Sequence, residues 1–127
     1  QIKADGLPEP LREYRFAESL GRDWRADFAW PMHSLLFEVD GGTWTHGRHN
    51  RGAGTEEDQV KQAAAALMGY RVLRAGPTLI RSGHAVWWIG HILGRSPKVT
   101  VEASLPSPNE LGACRRAALK QHRRDSR

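Results

Sequence analysis

The chain has 127 residues, a hydrophobic fraction of 39% and a formal net charge of +5. That length suits one domain with a single modest hydrophobic core and a tail. The longest apolar candidate, His84 to Leu93, is interrupted by Gly90 and His91 and is far short of a membrane span, and no signal-peptide pattern is present.

The charge is unevenly placed. Residues 1–94 carry 11 basic and 11 acidic side chains, whereas residues 95–127 carry eight basic against three acidic, so the whole excess lies in the last segment. Such a segment attracts polyanions through counterion release, and it is equally compatible with a solvated, non-specific extension. The domain reading is therefore 1–94 as the folded body and 95–127 as a basic, partly disordered C-terminal extension. The single Cys114 leaves no intrachain disulfide and fits a reducing cytoplasm. Gln1 stands where an initiator Met would, which makes the chain read as a fragment or a processed product.

In chain order, Gln1 to Gly6 reads as the last turn of a helix, with Gly6 as its cap. Leu7-Pro8-Glu9-Pro10 is a rigid connector, and Glu13 to Ala17 a short extended segment. After a turn at Gly21-Arg22-Asp23, a strand is predicted from Trp24 to Trp30, with Trp24, Ala26, Phe28 and Trp30 on one face and Arg25, Asp27 and Ala29 on the other. Pro31-Met32-His33 turns the chain into a second strand, Ser34 to Asp40. There Leu35, Phe37 and Val39 alternate with Leu36, Glu38 and Asp40. Gly41 to Gly54 has no periodicity and reads as a loop. Thr55, three residues before Asp58, is expected to cap a helix ending near Met68, with Gly69 at C′ and Val60, Ala64 and Leu67 as the buried stripe. A strand, Tyr70 to Ala75, and a helix, about Ser82 to Leu93, complete the body. Lys98 to Ala103 could pair only as an edge strand, and Leu111 to Arg124 has a thin helical stripe. The expected class is α/β, a central mixed β-sheet flanked by helices in the order (α)ββ(β)αβα.

Asp27 and Glu38 carry the strongest chemical signal. A short turn joins their strands, so the two carboxylates can meet at one sheet face, with Asp40 as a third. Hard cations such as Mg²⁺ take such carboxylate oxygens and leave other positions to water and phosphate. The bland reading is two solvent-facing strand residues on a half-exposed sheet. The following loop supplies Trp44 for stacking, Arg48 and Arg51 for phosphate contact, and His46 and His49 as general acid or base, or it is an ordinary polar loop. Its His pair lacks zinc-site spacing. Lys61 can pair with Glu57 along its helix, or reach the carboxylates and steady an attacking water. Trp87, Trp88, Ile89 and Ile92 read as core.

Read in order, Leu7-Pro8-Glu9-Pro10, Glu13-Tyr14-Arg15-Phe16, Trp24 to Pro31, Glu38-Val39-Asp40-Gly41-Gly42-Thr43-Trp44, Gly47-Arg48-His49 and Gly69 to Arg74 resemble a known series of motifs. It is that of small phage and bacterial proteins of the PD-(D/E)XK nuclease superfamily, in the branch related to very-short-patch repair endonucleases. The resemblance covers residues 7–93. It implies a restriction-endonuclease-like core that hydrolyses DNA phosphodiesters with Mg²⁺, Mn²⁺ being a possible substitute, in DNA repair, recombination or restriction. Asp27 and Glu38 would be the motif's two acids, and the Val39 carbonyl would complete the metal shell. Asp58 and Lys61 match recurring helix positions. The position that names the motif's Lys is Asp40 here, as in this branch, so the basic role passes to Lys61, His46 or His49. The chain departs from the pattern at Lys61-Gln62-Ala63, where Tyr and Asn are usual, and at Arg74-Ala75, where an aromatic is usual. The helix that would precede Gln1 is missing, and it often supplies a further acid. The expected partner is DNA, with no membrane, and a homodimer is one option for assembly. The rival readings are a nuclease-fold module that binds nucleic acid without cutting it, and a structural or interaction domain.

Overall fold

The structure, a computed structural model, describes residues 1–40, 53–102 and 104–109. Its first turn is held by amide bonds from Asp5 to the Gln1 carbonyl, Gly6 to Lys3 and Leu7 to Ile2, with Gly6 at a φ of 69°. This is the Schellman pattern of a helix C-terminus, which needs a left-handed residue that only glycine supplies without strain. It brings Ile2 and the buried Leu7 into the same core. The connector is then pinned by the Trp30 indole, which donates to the Pro8 carbonyl at 2.8 Å.

Four strands follow: β1 (Leu11–Arg15), β2 (Arg25–Trp30), β3 (Leu35–Val39) and β4 (Arg71–Ala75). They form one mixed sheet in the order β1-β2-β3-β4, antiparallel across the first two pairings and parallel between β3 and β4. Between β3 and β4 runs helix α1 (Ala53–Leu67), and after β4 come α2 (Pro77–Arg81) and α3 (His84–Ile92). The mixed α/β class read from the sequence therefore holds.

Strand alternation sorts the core into two layers. Trp30, Leu35 and Phe37 pack with Ala85, Val86 and Ile89 of α3, while Ala29 and Leu36 pack with Ala65 of α1. Helices thus cover both sheet faces, as a parallel pairing requires. No helix among the described residues is long and apolar enough to cross a membrane.

Three expectations are corrected. Thr55 lies inside α1, which already begins at Ala53. The buried stripe of α1 is Ala64 and Ala65, whereas Val60 is half exposed and Leu67 is 85% exposed. Small alanines let the helix backbone approach the sheet closely, and the long polar side chains beside them point the same way. Finally, the single helix expected from Ser82 is preceded by α2 and separated from it by Gly83, at a φ of 86°.

Gly83 also meets the segment that returns after the body. A Cβ there would lie 2.5 Å from Val99 Cγ2. The Val99 amide in turn donates to Asp5 Oδ1 at 2.9 Å, and the Trp88 indole donates to the Ser104 carbonyl at 2.6 Å. The start of the basic extension therefore packs on the body through Val99 and Ser104, and residues 98–102 form no edge strand. Gly83→Ala combines a left-handed backbone with that clash, and should cost about 2 kcal/mol in a denaturant titration. A loss below about 0.5 kcal/mol would mean that Val99 does not occupy this position.

Candidate active site

The C-terminal ends of parallel strands in an α/β sheet share one edge, the usual place for ligand chemistry. Here β3 and β4 are in register with Glu38 opposite Arg74 and Val39 opposite Ala75. Strand alternation sends Leu36 and Glu38 toward α1, and it sends Phe37 and Val39 toward an apolar hollow of about 290 Å³ on the opposite face. The charged groups and the apolar hollow are therefore separated by the sheet.

Asp27 reaches this edge by a break in the pattern. The β2–β3 ladder pairs Phe28 with Phe37, Ala29 with Leu36 and Trp30 with Leu35, and ends there. Across β1, Glu13 takes a φ of 49°, and the pairing skips the position between Phe28 and Ala26. Such a φ is uncommon for a non-glycine residue. The alternation slips with it: Ala26 and Ala29, three apart, both pack in the α1 layer, while Phe28 packs on the other side. This corrects the predicted face of Trp24, Ala26, Phe28 and Trp30.

The slip has a local consequence. The Asp40 amide donates to Ala75 of β4 at 2.9 Å, so the Val39 amide, one residue back, points toward β2. With β2 out of the ladder, that amide would lack an acceptor. The Asp27 carboxylate supplies one, accepting from Val39 N at 2.7 Å. Asp27 is thereby fixed beside the backbone that links Glu38 to Asp40.

Helix α1 completes the constellation. Lys61 Nζ lies 2.6 Å from Glu38 Oε1, with both side chains largely buried. The alternative i, i+4 partner, Glu57, forms no ion pair with Lys61 among the described residues. Arg74 is the hub: its guanidinium lies 3.9 Å from Glu38, 3.5 Å from Asp40 and 3.5 Å from Asp58. Its Nε is buried without a hydrogen-bond partner. The space beside Glu38, Asp58, Lys61 and Gln62 is only about 10 Å³, hardly one water. Lys61 is the cation that lines it.

Sequence reasoning therefore named Asp27, Glu38, Asp40, Asp58 and Lys61, which are gathered at one sheet edge. It assigned Arg74 no part, although its place at the end of a strand parallel to β3 was the available signal. Trp44, His46, Arg48, His49 and Arg51 lie outside the described residues. Among the described residues no three His, Cys, Asp or Glu side chains converge closely enough to hold a metal ion. The donor chemistry is nonetheless that of a hard cation. Asp27 and Glu38 offer carboxylate oxygens next to the Val39 carbonyl, and Mg²⁺ characteristically takes one or two carboxylates, with water and phosphate completing its shell. Four acids, Asp27, Glu38, Asp40 and Asp58, face two bases, Lys61 and Arg74, which leaves a local negative excess suited to a divalent cation.

At the start of β4, Tyr70 meets the Tyr14 hydroxyl at 3.3 Å. That hydrogen bond, and then burial, push the Tyr70 phenol up to about 12. Because the folded value is raised, the stability this pair contributes is complete below pH 10 and is lost as the pH rises through about 12. Tyr14 and Tyr70 are the two tyrosines of the chain. Ultraviolet titration of Tyr14→Phe should therefore reveal one phenol with its midpoint moved down toward 10. An unmoved midpoint would assign the shift to burial alone.

Comparison of the chain with protein-family models, with curated proteins and with solved structures gives no match.

Proposed function

We propose that the chain is a metal-dependent DNA endonuclease of the PD-(D/E)XK type, built on a restriction-endonuclease-like core. The observation that carries this reading is the seat of Asp27. Its carboxylate leaves the β-ladder, accepts from the Val39 amide at 2.7 Å, and so stands beside Glu38, which is itself held by Lys61 at 2.6 Å. The order of three strands, a helix and a parallel fourth strand is compatible with such a core.

In this reading Asp27, Glu38 and the Val39 carbonyl hold Mg²⁺, with Mn²⁺ as a substitute. The cation supplies Lewis acidity for water and charge neutralisation at the phosphate. Lys61 orients Glu38 and is the nearest cation for proton transfer, in the place of the Lys that the motif lacks at Asp40. Asp40, beside Arg74 at 3.5 Å, would position the water that the cation activates. By residue type, Arg48 and Arg51 contact phosphate, Trp44 stacks on a base, and His46 or His49 shares the proton transfers. The basic C-terminal extension, with eight basic residues against three acidic, adds sequence-independent attraction to DNA.

The deciding experiment is cleavage of labelled duplex, nicked, flap and junction DNAs in Mg²⁺, Mn²⁺ or EDTA by wild type and Asp27 variants. Metal-dependent products that vanish in the variants support the nuclease. A folded wild type that binds DNA with steep salt dependence and never cuts it would replace the enzyme with a nucleic-acid-binding module.

A further inference from the structure

We propose that Arg74 is a positioning residue that competes with the divalent cation for the carboxylates, an inference that rests on the metal-site reading above. Its guanidinium touches acids from β3, from the residue just past its end and from α1: Glu38 at 3.9 Å, Asp40 at 3.5 Å and Asp58 at 3.5 Å. It lies across the site and keeps three like charges from repelling one another.

The two cations of the cluster are held differently. Lys61 Nζ makes a short contact of 2.6 Å with Glu38. The contacts of Arg74 are all long, and its Nε is buried with no hydrogen-bond partner. A buried donor without an acceptor is unfavourable, so Arg74 is the more weakly seated cation. A cation that takes Glu38 displaces one of that carboxylate's two resident partners, and Arg74, at 3.9 Å against 2.6 Å for Lys61, is the one that yields. Asp58, on α1 and not among the carboxylates assigned to the metal, remains its anchor when the contacts with Glu38 and Asp40 open. Arg74 thus holds the carboxylates in place until the metal arrives, and it raises the metal concentration the site requires.

The test is Mn²⁺ binding to the full chain without DNA, followed by the electron paramagnetic resonance of the free ion. The proteins are wild type, Arg74→Gln, Arg74→Lys and Glu38→Gln. Removing a positive charge from beside the carboxylates should tighten Mn²⁺ binding by about tenfold, since charges a few ångströms apart at the protein surface interact on that scale. Arg74→Lys, which keeps the charge, should stay near wild type, and Glu38→Gln should weaken binding by about tenfold or more. A second measurement needs no variant: the Arg74 Nε–Hε resonance of the wild type should shift as Mg²⁺ is added.

Tighter binding in Arg74→Gln with a moving Nε–Hε signal supports the competition. Equal or weaker binding in Arg74→Gln, or a static signal, overturns it while binding lost in Glu38→Gln leaves the metal site intact. Wild-type binding indifferent to Glu38→Gln, or no binding at all, overturns the metal site and the role of Arg74 together.

Discussion

Asp27→Asn is expected to reduce Mg²⁺-dependent DNA cleavage by about 10²-fold or more while leaving the thermal midpoint nearly unchanged. The two effects separate because Asp27 has two duties. As a hydrogen-bond acceptor for the Val39 amide at 2.7 Å it closes the gap where β2 leaves the ladder. An asparagine carbonyl still accepts that bond, less strongly than the carboxylate but without leaving the amide unpaired. As an anion it would hold the cation, and an amide is a much poorer ligand for a hard metal. Several kcal/mol of Lewis-acid stabilisation depends on the cation being seated, and each 1.36 kcal/mol is tenfold in rate. Asp27→Ala removes both duties. It should lose the same activity and also about 1 kcal/mol of stability, or roughly 4–8 °C in thermal midpoint, because the Val39 amide loses its acceptor. Activity and calorimetry on the two variants give the comparison. Full activity in Asp27→Asn would remove Asp27 from the metal site.

The second large effect is on stability. Leu36→Ala should cost about 3 kcal/mol and lower the thermal midpoint by more than about 10 °C. Leu36 is 1% exposed on a central strand, against Ala29 and Ala65, and two residues along from Glu38. Its truncation leaves a cavity that the rigid sheet fills poorly, and it loosens the strand that seats Glu38 against Lys61. Val60→Ala is the matched control, since Val60 is 51% exposed on the outer side of α1. It should cost under about 0.5 kcal/mol. Equal losses in the two variants would show that α1 is turned the other way on the sheet.

That contrast bears on what could be read from the chain. The β3 pattern was legible because period-two alternation is local. Leu35, Phe37 and Val39 against Leu36, Glu38 and Asp40 required no knowledge of the partners, and both faces packed as read. The helix ends were legible too, because Gly6 and Gly69 take the positive φ that ends a helix on chemistry contained within a single turn. The face of α1 was not. Val60, Ala64 and Leu67 form the apolar stripe on paper, but the sheet it meets offers Glu38 and Arg74 beside Leu36. The helix therefore lays Ala64 and Ala65 on the sheet, with Lys61 reaching Glu38 and the exposed Asp58 reaching Arg74.

The candidate site divides the same way. By itself the sequence determined that two short strands joined by a tight turn carry Asp27, Glu38 and Asp40, and that a helix bearing Asp58 and Lys61 comes next. Those are facts of order and local period. Only the tertiary structure decided that Asp27 slips out of its ladder to meet the Val39 amide, that Lys61 chooses Glu38 over Glu57, and that Arg74 spans three acids. Each of these depends on strand register and on the closeness of α1 to the sheet. Hydrophobic periodicity specifies which face of an element is apolar, but charged partners 16 to 36 residues apart are chosen by distance in the folded chain.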